Sequence, residues 1–360
     1  MNPQEPLLNH PVFFDEPDTN RLGSFLEYHI KPREAIFVLV DENTHKHCLE
    51  LFESKLPSEF SASVIEIPAG EKSKSLETCS EVLETLTENL ADRNSVLINL
   101  GGGVVCDLGG FVASVYKRGI RFLHVPTSLM AMADASIGGK NGIDLRGLKN
   151  IVGTFNQPMA VFIDPRFLST LPERELNNGF AEMLKHGLIS EYSFFEHLVS
   201  KGFENITSEE IRISAEIKSD IVQRDPFEKG FRKVLNFGHT IGHALESHSL
   251  LHDERPLLHG EAIVLGMMAE ILLSEKHNLI TPTETEPILS GLFEFAVMYD
   301  FNTTCIESMI EFMANDKKSQ AGVPGFSLMR KPGQIITGVE CSQEEIFDTL
   351  NELNEIFREN

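Results

Sequence analysis

The chain has 360 residues, is 41% hydrophobic and 24% charged, and carries a formal charge of −23. That length suits two domains with sizeable cores, and the negative charge argues against nucleic acid or an anionic membrane as partner. No apolar run reaches the roughly 18 residues that a membrane span needs. The opening stretch MNPQEPLLNHPVFFDEPDTN is polar and acidic, unlike a secretory signal. Five scattered cysteines without a CxxC pair fit a reducing, cytoplasmic setting. Short apolar runs then predict strands at 35–40 (AIFVLV), 63–67, 95–100 (SVLINL), 122–125 and 160–163, with a helical period at 75–91. Such alternation predicts a parallel sheet covered by helices. The stretch 143–153 reads as a hairpin or loop. From LPERE (171–175) onward helical periods dominate, up to a strand at 326–330 and an amphipathic terminal helix. The expected domains are therefore an α/β domain at 1–172 and a helical domain at 173–360.

The run SVLINL leads straight into GGGVVCDLGG (101–110). A strand ending in glycines before a helix brings backbone N–H groups close to a phosphate. The dinucleotide fingerprint is incomplete, because Cys106 stands where its third glycine belongs. A tight turn with close helix packing explains the glycines equally well.

Three later segments hold metal-ligating types. GFAEMLKHG offers Glu182, VLNFGHTIGHALE offers His239 and His243, and LLHGEA offers His259 with Glu261. One acid and two histidines would leave a coordination position open at a catalytic zinc. Spacing alone does not separate ligand from supporting residue, and His186, four residues after Glu182, competes. Arg118, Lys140, Lys149, Lys185, Lys218 and Arg232 fall in Gly- and His-rich stretches of an acidic chain. They read either as a pocket for a small anion or as solvated surface charge.

Together, 101–128, 134–158, 167–187, 232–246, 257–262 and NDKK (315–318) resemble the 3-dehydroquinate synthase family of sugar-phosphate cyclases. The resemblance implies a Rossmann-like NAD-binding α/β domain, an all-α metal-binding C-terminal domain, and a site in the cleft between them. It implies zinc or cobalt on Glu182, His239 and His259, with His243 beside the metal rather than on it. It places NAD against Asp41, Glu71 and Lys74 of the GEKSK turn, Gly103, Val104, Val105, Cys106, Asp107, Thr127, Ser128, Lys140, Lys149, and Phe167, Leu168, Ser169 and Thr170. It places substrate against Asp134, Asn150, Lys185, Lys218, Arg232, Asn236 and one or both of Lys317 and Lys318. Arg118 matches an arginine that reaches the neighbouring subunit's phosphate site, which implies a homodimer.

The implied reaction turns 3-deoxy-D-arabino-heptulosonate 7-phosphate into 3-dehydroquinate and phosphate, a step of the shikimate pathway. It oxidises an alcohol on NAD, expels phosphate, returns the hydride and closes the ring by an aldol step. A substrate with a carboxylate and a phosphate suits a pocket of arginine and lysine. Lys185, His243 and Asp134 would manage hydroxyl protons. The rivals are a sister cyclase acting on another sugar phosphate and a metal-dependent polyol-phosphate dehydrogenase that consumes NAD.

Overall fold

The structure is a computed structural model that describes residues 11–16, 18–145, 148–315 and 325–359. The chain divides into two compact units: residues 1–176 with 207–227, and residues 177–206 with 228–360.

The first unit is built on a parallel sheet. Its strands are β1 (Val12–Phe14), β2 (Ile36–Asp41), β3 (Ala62–Ile67), β4 (Val96–Gly101), β5 (Arg121–Pro126) and, after a hairpin of β6 (Lys140–Leu145) and β7 (Leu148–Phe155), β8 (Val161–Ile163). Their order is β1-β8-β5-β4-β2-β3, every pairing parallel. β2 and β4 are continuous apolar runs because helices bury both faces. Helices α1 (Arg21–His29), α2 (Glu42–Glu53), α3 (Leu76–Glu88) and α4 (Gly103–Val115) supply the crossovers. Asp41 ends β2 and caps α2, accepting from the Thr44 N–H at 2.8 Å.

Two features lie beyond the sequence reading, and a third decides an alternative it left open. β1 is a three-residue edge strand whose end is fastened by a buried ammonium: Lys55 Nζ lies 2.5 Å from Asp15 and 2.8 Å from Asp164. The stretch 143–153 resolves as the β6–β7 hairpin. The helix Ser208–Arg224 clusters with the first unit, although helical periodicity had grouped it with the second domain.

In the second unit, α5 (Glu173–Ile189) continues from the first, and α6 spans Tyr192–Lys201. With Ser208–Arg224 as α7, the remaining helices are α8 (His239–His252), α9 (His259–Lys276), α10 (Pro282–Phe293), α11 (Thr303–Asn315) and α12 (Gln343–Glu359). An antiparallel hairpin of β9 (Gly325–Lys331) and β10 (Gln334–Glu340) is added to the helices. α9 is buried from Gly260 to Ser274 and forms the spine. Two glycines bring its neighbours onto it. A Cβ on Gly266 would lie 2.0 Å from the Gly238 carbonyl oxygen before α8, and one on Gly260 would lie 2.0 Å from the Asn178 carbonyl oxygen of α5.

Candidate active site

In the first unit, the expected NAD contacts other than Lys140 and Lys149 share the carboxyl edge of the parallel sheet. Asp41 ends β2, Glu71 and Lys74 follow β3, Gly103–Asp107 follow β4, Thr127 and Ser128 follow β5, and Phe167–Thr170 follow β8. The chain moves from β2 outward to β3, then starts again on the other side of β2 with β4. The crevice at that reversal is where open α/β sheets bind nucleotides. α4 begins there with Gly102 as its cap residue, no side chain capping it and no acid in its first turn. Its first N–H groups are thus presented at a helix N-terminus suited to a phosphate. A Cβ on Gly102 would come within 3.3 Å of Ser128 Oγ, and one on Gly103 within 3.5 Å of the Ala135 Cβ.

Cys106 fits the turn despite replacing glycine. Its Sγ lies 3.7 Å from the Gly101 carbonyl oxygen, and burial pushes the thiol well above its ordinary value, so it stays protonated. Around it, Lys74 Nζ pairs with Asp107 at 2.5 Å and Lys149 Nζ with Glu71 at 3.2 Å. The Asn150 N–H donates to Asp144 at 2.8 Å, with Asn150 itself at φ 52°. Lys140 is exposed at the start of β6. On α7, Lys218 Nζ lies 2.7 Å from the Asp134 carboxylate. Arg118 is exposed and, like Lys117 before it, has positive φ, at 68° and 49°.

The second unit gathers the expected metal ligands from three helices. Glu182 is completely buried on α5. Its Oε1 lies 3.6 Å from His239 Nε2 and 3.5 Å from His259 Nε2. Tetrahedral ligands ~2.0–2.1 Å from one zinc ion are spaced ~3.3–3.4 Å apart, close to these two separations, and His239 and His259 offer ring nitrogens within 4.8 Å of each other, so the donor set suits a shared cation. The outward nitrogens are engaged as zinc-binding histidines require: His239 Nδ1 lies 3.1 Å from the Phe237 carbonyl oxygen and His259 Nδ1 3.2 Å from Glu246 Oε2. Burial opposes charge on His259, but Glu246, with Glu182 behind it, outweighs that and lifts the imidazole to about 9. A cation on Nε2 must displace that proton, so its uptake favours higher pH.

His243 offers a ring nitrogen within 4.8 Å of those of His239 and His259, so it adjoins the ligand pair. Lys185, buried one turn after Glu182, forms an ion pair with it. His186, the competitor by spacing, is also fully buried on α5. Arg232 is buried, and Asn236 Nδ2 donates to Glu228 at 2.9 Å. Lys317 and Lys318 lie outside the described residues.

Two carboxylates of this unit escaped the sequence reading. Glu246 meets His259 as above. Glu270, fully buried on α9, takes the place of a cap for α8, accepting from the Gly238 N–H at 2.8 Å and the Thr240 N–H at 3.2 Å. The signal for Glu270 was a lone acid in the apolar run GMMAEILL. For Glu246 it was an acid at helical spacing, three residues beyond His243 and seven beyond His239.

Comparison with known proteins identifies the family. The family model "3-dehydroquinate synthase N-terminal" matches residues 64–178, and "3-dehydroquinate synthase C-terminal" matches residues 179–319. The chain belongs to the 3-dehydroquinate synthase family. The 3-dehydroquinate synthase of Parabacteroides distasonis is 38% identical over 328 residues, covering 90% of this chain and 92% of the relative. That of Thermoanaerobacter pseudethanolicus is 38% identical over 350 residues, covering 95% and 97%. Among solved structures, a 2-epi-5-epi-valiolone synthase from Streptomyces hygroscopicus subsp. jinggangensis with NAD+ and Zn2+ bound superposes with a TM-score of 0.86 at 27% identity, covering 97% and 98%. The family's α/β unit followed by a helical one is the fold observed here. No helix among the described residues is long and apolar enough to cross a membrane.

Proposed function

We propose that this chain converts 3-deoxy-D-arabino-heptulosonate 7-phosphate into 3-dehydroquinate and phosphate. The observation that carries the reading is the meeting of Glu182, His239 and His259 in a chain 38% identical to 3-dehydroquinate synthases along nearly its whole length. Glu182, His239 and His259 would hold zinc or cobalt, and the carboxyl edge around Gly102 would hold NAD. When bound, these supply a reversible alcohol oxidation and a Lewis acid for the alcohol oxygen.

The chain's own side chains would do the rest. Arg232, buried and permanently charged, suits a carboxylate that it can grip with two parallel N–H donors. Lys218 carries a second positive charge beside Asp134. Asn150, Asn236, Lys140 and one or both of Lys317 and Lys318 complete the proposed substrate contacts. Lys185 and His243 border the ligand set, where they can hold or move hydroxyl protons, with Asp134 in the same role. We further assign the chain to a homodimer in which Arg118 serves the other copy's phosphate site, and to the cytoplasm, where its five buried free thiols would stay reduced.

The test is an assay with the heptulosonate phosphate, catalytic NAD and zinc. Phosphate and dehydroquinate should form together without net NADH. Steady NADH accumulation would favour the polyol-phosphate dehydrogenase; turnover of a different sugar phosphate alone would favour a sister cyclase.

A further inference from the structure

Glu246 belongs to neither the proposed ligands nor the proposed substrate contacts, yet it is a carboxylate with only 6% of its surface exposed. It lies on α8, the helix that carries His239, and its Oε2 is 3.2 Å from Nδ1 of His259 on α9. The opposite nitrogen of that ring faces Glu182 at 3.5 Å. A neutral imidazole carries one proton, on either nitrogen, and can ligate only through the other. A carboxylate held against Nδ1 selects the Nδ1–H form, leaves the Nε2 lone pair toward Glu182 and fixes the ring's orientation. His239 has a different device for the same purpose, the Phe237 backbone carbonyl, which no side-chain substitution removes. His259 begins its helix and relies on a side chain from another one. A buried carboxylate is unfavourable unless polar groups answer it, and the His259 imidazole is one that does so here.

We propose that Glu246 is a positioning residue that orients His259 for ligation and thereby sets how tightly the chain holds a divalent cation. This rests on the reading of Glu182, His239 and His259 as ligands. The negative charge also makes the imidazole a stronger donor to the cation, so charge and hydrogen bond act in one direction.

The experiment is a zinc titration of the full chain against a chromophoric chelator, for the wild type, E246Q and E246L, together with the visible absorption of the cobalt-loaded proteins. E246L loses both acceptor and charge, and its zinc Kd should rise 10–100-fold. E246Q keeps an acceptor oxygen and should fall between E246L and the wild type. The cobalt bands of E246L should shift as His259 loses its fixed orientation. A folded E246L with a zinc Kd within twofold of wild type and unchanged cobalt bands would overturn the proposal. Should E246L fail to fold, E246Q decides, and wild-type zinc affinity in that variant would likewise overturn it. A wild-type chain that takes up neither zinc nor cobalt stoichiometrically would instead remove the ligand reading itself.

Discussion

Lys218 Nζ contacts Asp134 twice, at 2.7 Å to the carboxylate and 2.8 Å to the backbone carbonyl oxygen. This double contact ties α7 to the π-helical turn Ala131–Ala135 within the first unit. Replacing Lys218 by Met removes both contacts to the partly buried Asp134, which should cost about 2 kcal/mol, within the range for hydrogen bonds to charged groups. Urea unfolding measures that loss. If Lys218 also binds substrate, KM for the heptulosonate phosphate should rise in the same variant.

Removal of the cation should abolish turnover reversibly. Dialysis against a chelator is expected to leave a folded, inactive protein that zinc or cobalt reactivates. Glu182→Gln should resist reactivation and lose at least about 10³-fold in kcat, since a Lewis acid is worth several kcal/mol at the transition state. Activity together with metal content by atomic absorption checks both statements.

Asp164 should govern part of the acid stability. Burial raises its pKa, but hydrogen bonds from Arg166 and Lys55 outweigh this and hold the carboxyl below the usual range. A depressed folded pKa means that the contribution is fully present above the unfolded value of about 3.9 and disappears as pH falls through the lower, folded value. Asp164→Asn is therefore expected to be less stable than wild type by about 3 kcal/mol at pH 7 and at pH 5. The gap should close progressively below pH ~4. Urea midpoints at these pH values test it.

Gly266→Ala probes the helix crossing that brings His239 to His259. The new Cβ would lie 2.0 Å from the Gly238 carbonyl oxygen, which is backbone and cannot rotate away. The α8–α9 spacing must widen, at a stability cost of about 3 kcal/mol. Zinc affinity should fall with stability, because the residue following Gly238 is a proposed ligand. Unfolding and chelator titration on one preparation measure both.

The strands β2, β4 and β8 were legible because helices bury both faces of the sheet there, which writes each as an apolar run, while β3, an edge strand with pattern ASVIEI, was legible from its β-branched residues. β1 was not, since three residues make no pattern and its anchor, Lys55, lies 40 residues away along the chain. The placement of α7 was equally hidden: periodicity reports that a helix has a buried face, not which core buries it. Glu182, His239 and His259 stood out as ligand types at suggestive spacing, yet only their common meeting shows that they can share an ion. Glu246 and Glu270 act across the contact between α8 and α9, 13 and 32 residues from the groups they meet. Their importance follows from the close α8–α9 packing that Gly266 allows, which no window of neighbouring residues contains.

The return of residues 207–227 to the first unit bears on how the protein is made. A nascent chain emerging from the ribosome has its α/β half complete in every strand by residue 163, yet still lacks the helix that steadies Asp134. Until residue 227 has cleared the exit tunnel, that half must persist unfinished, while part of the other half is already outside. Cutting the gene at the apparent seam near residue 172 would therefore leave the first fragment without residues 207–227 of its own unit, and the second fragment carrying a helix that belongs to the other.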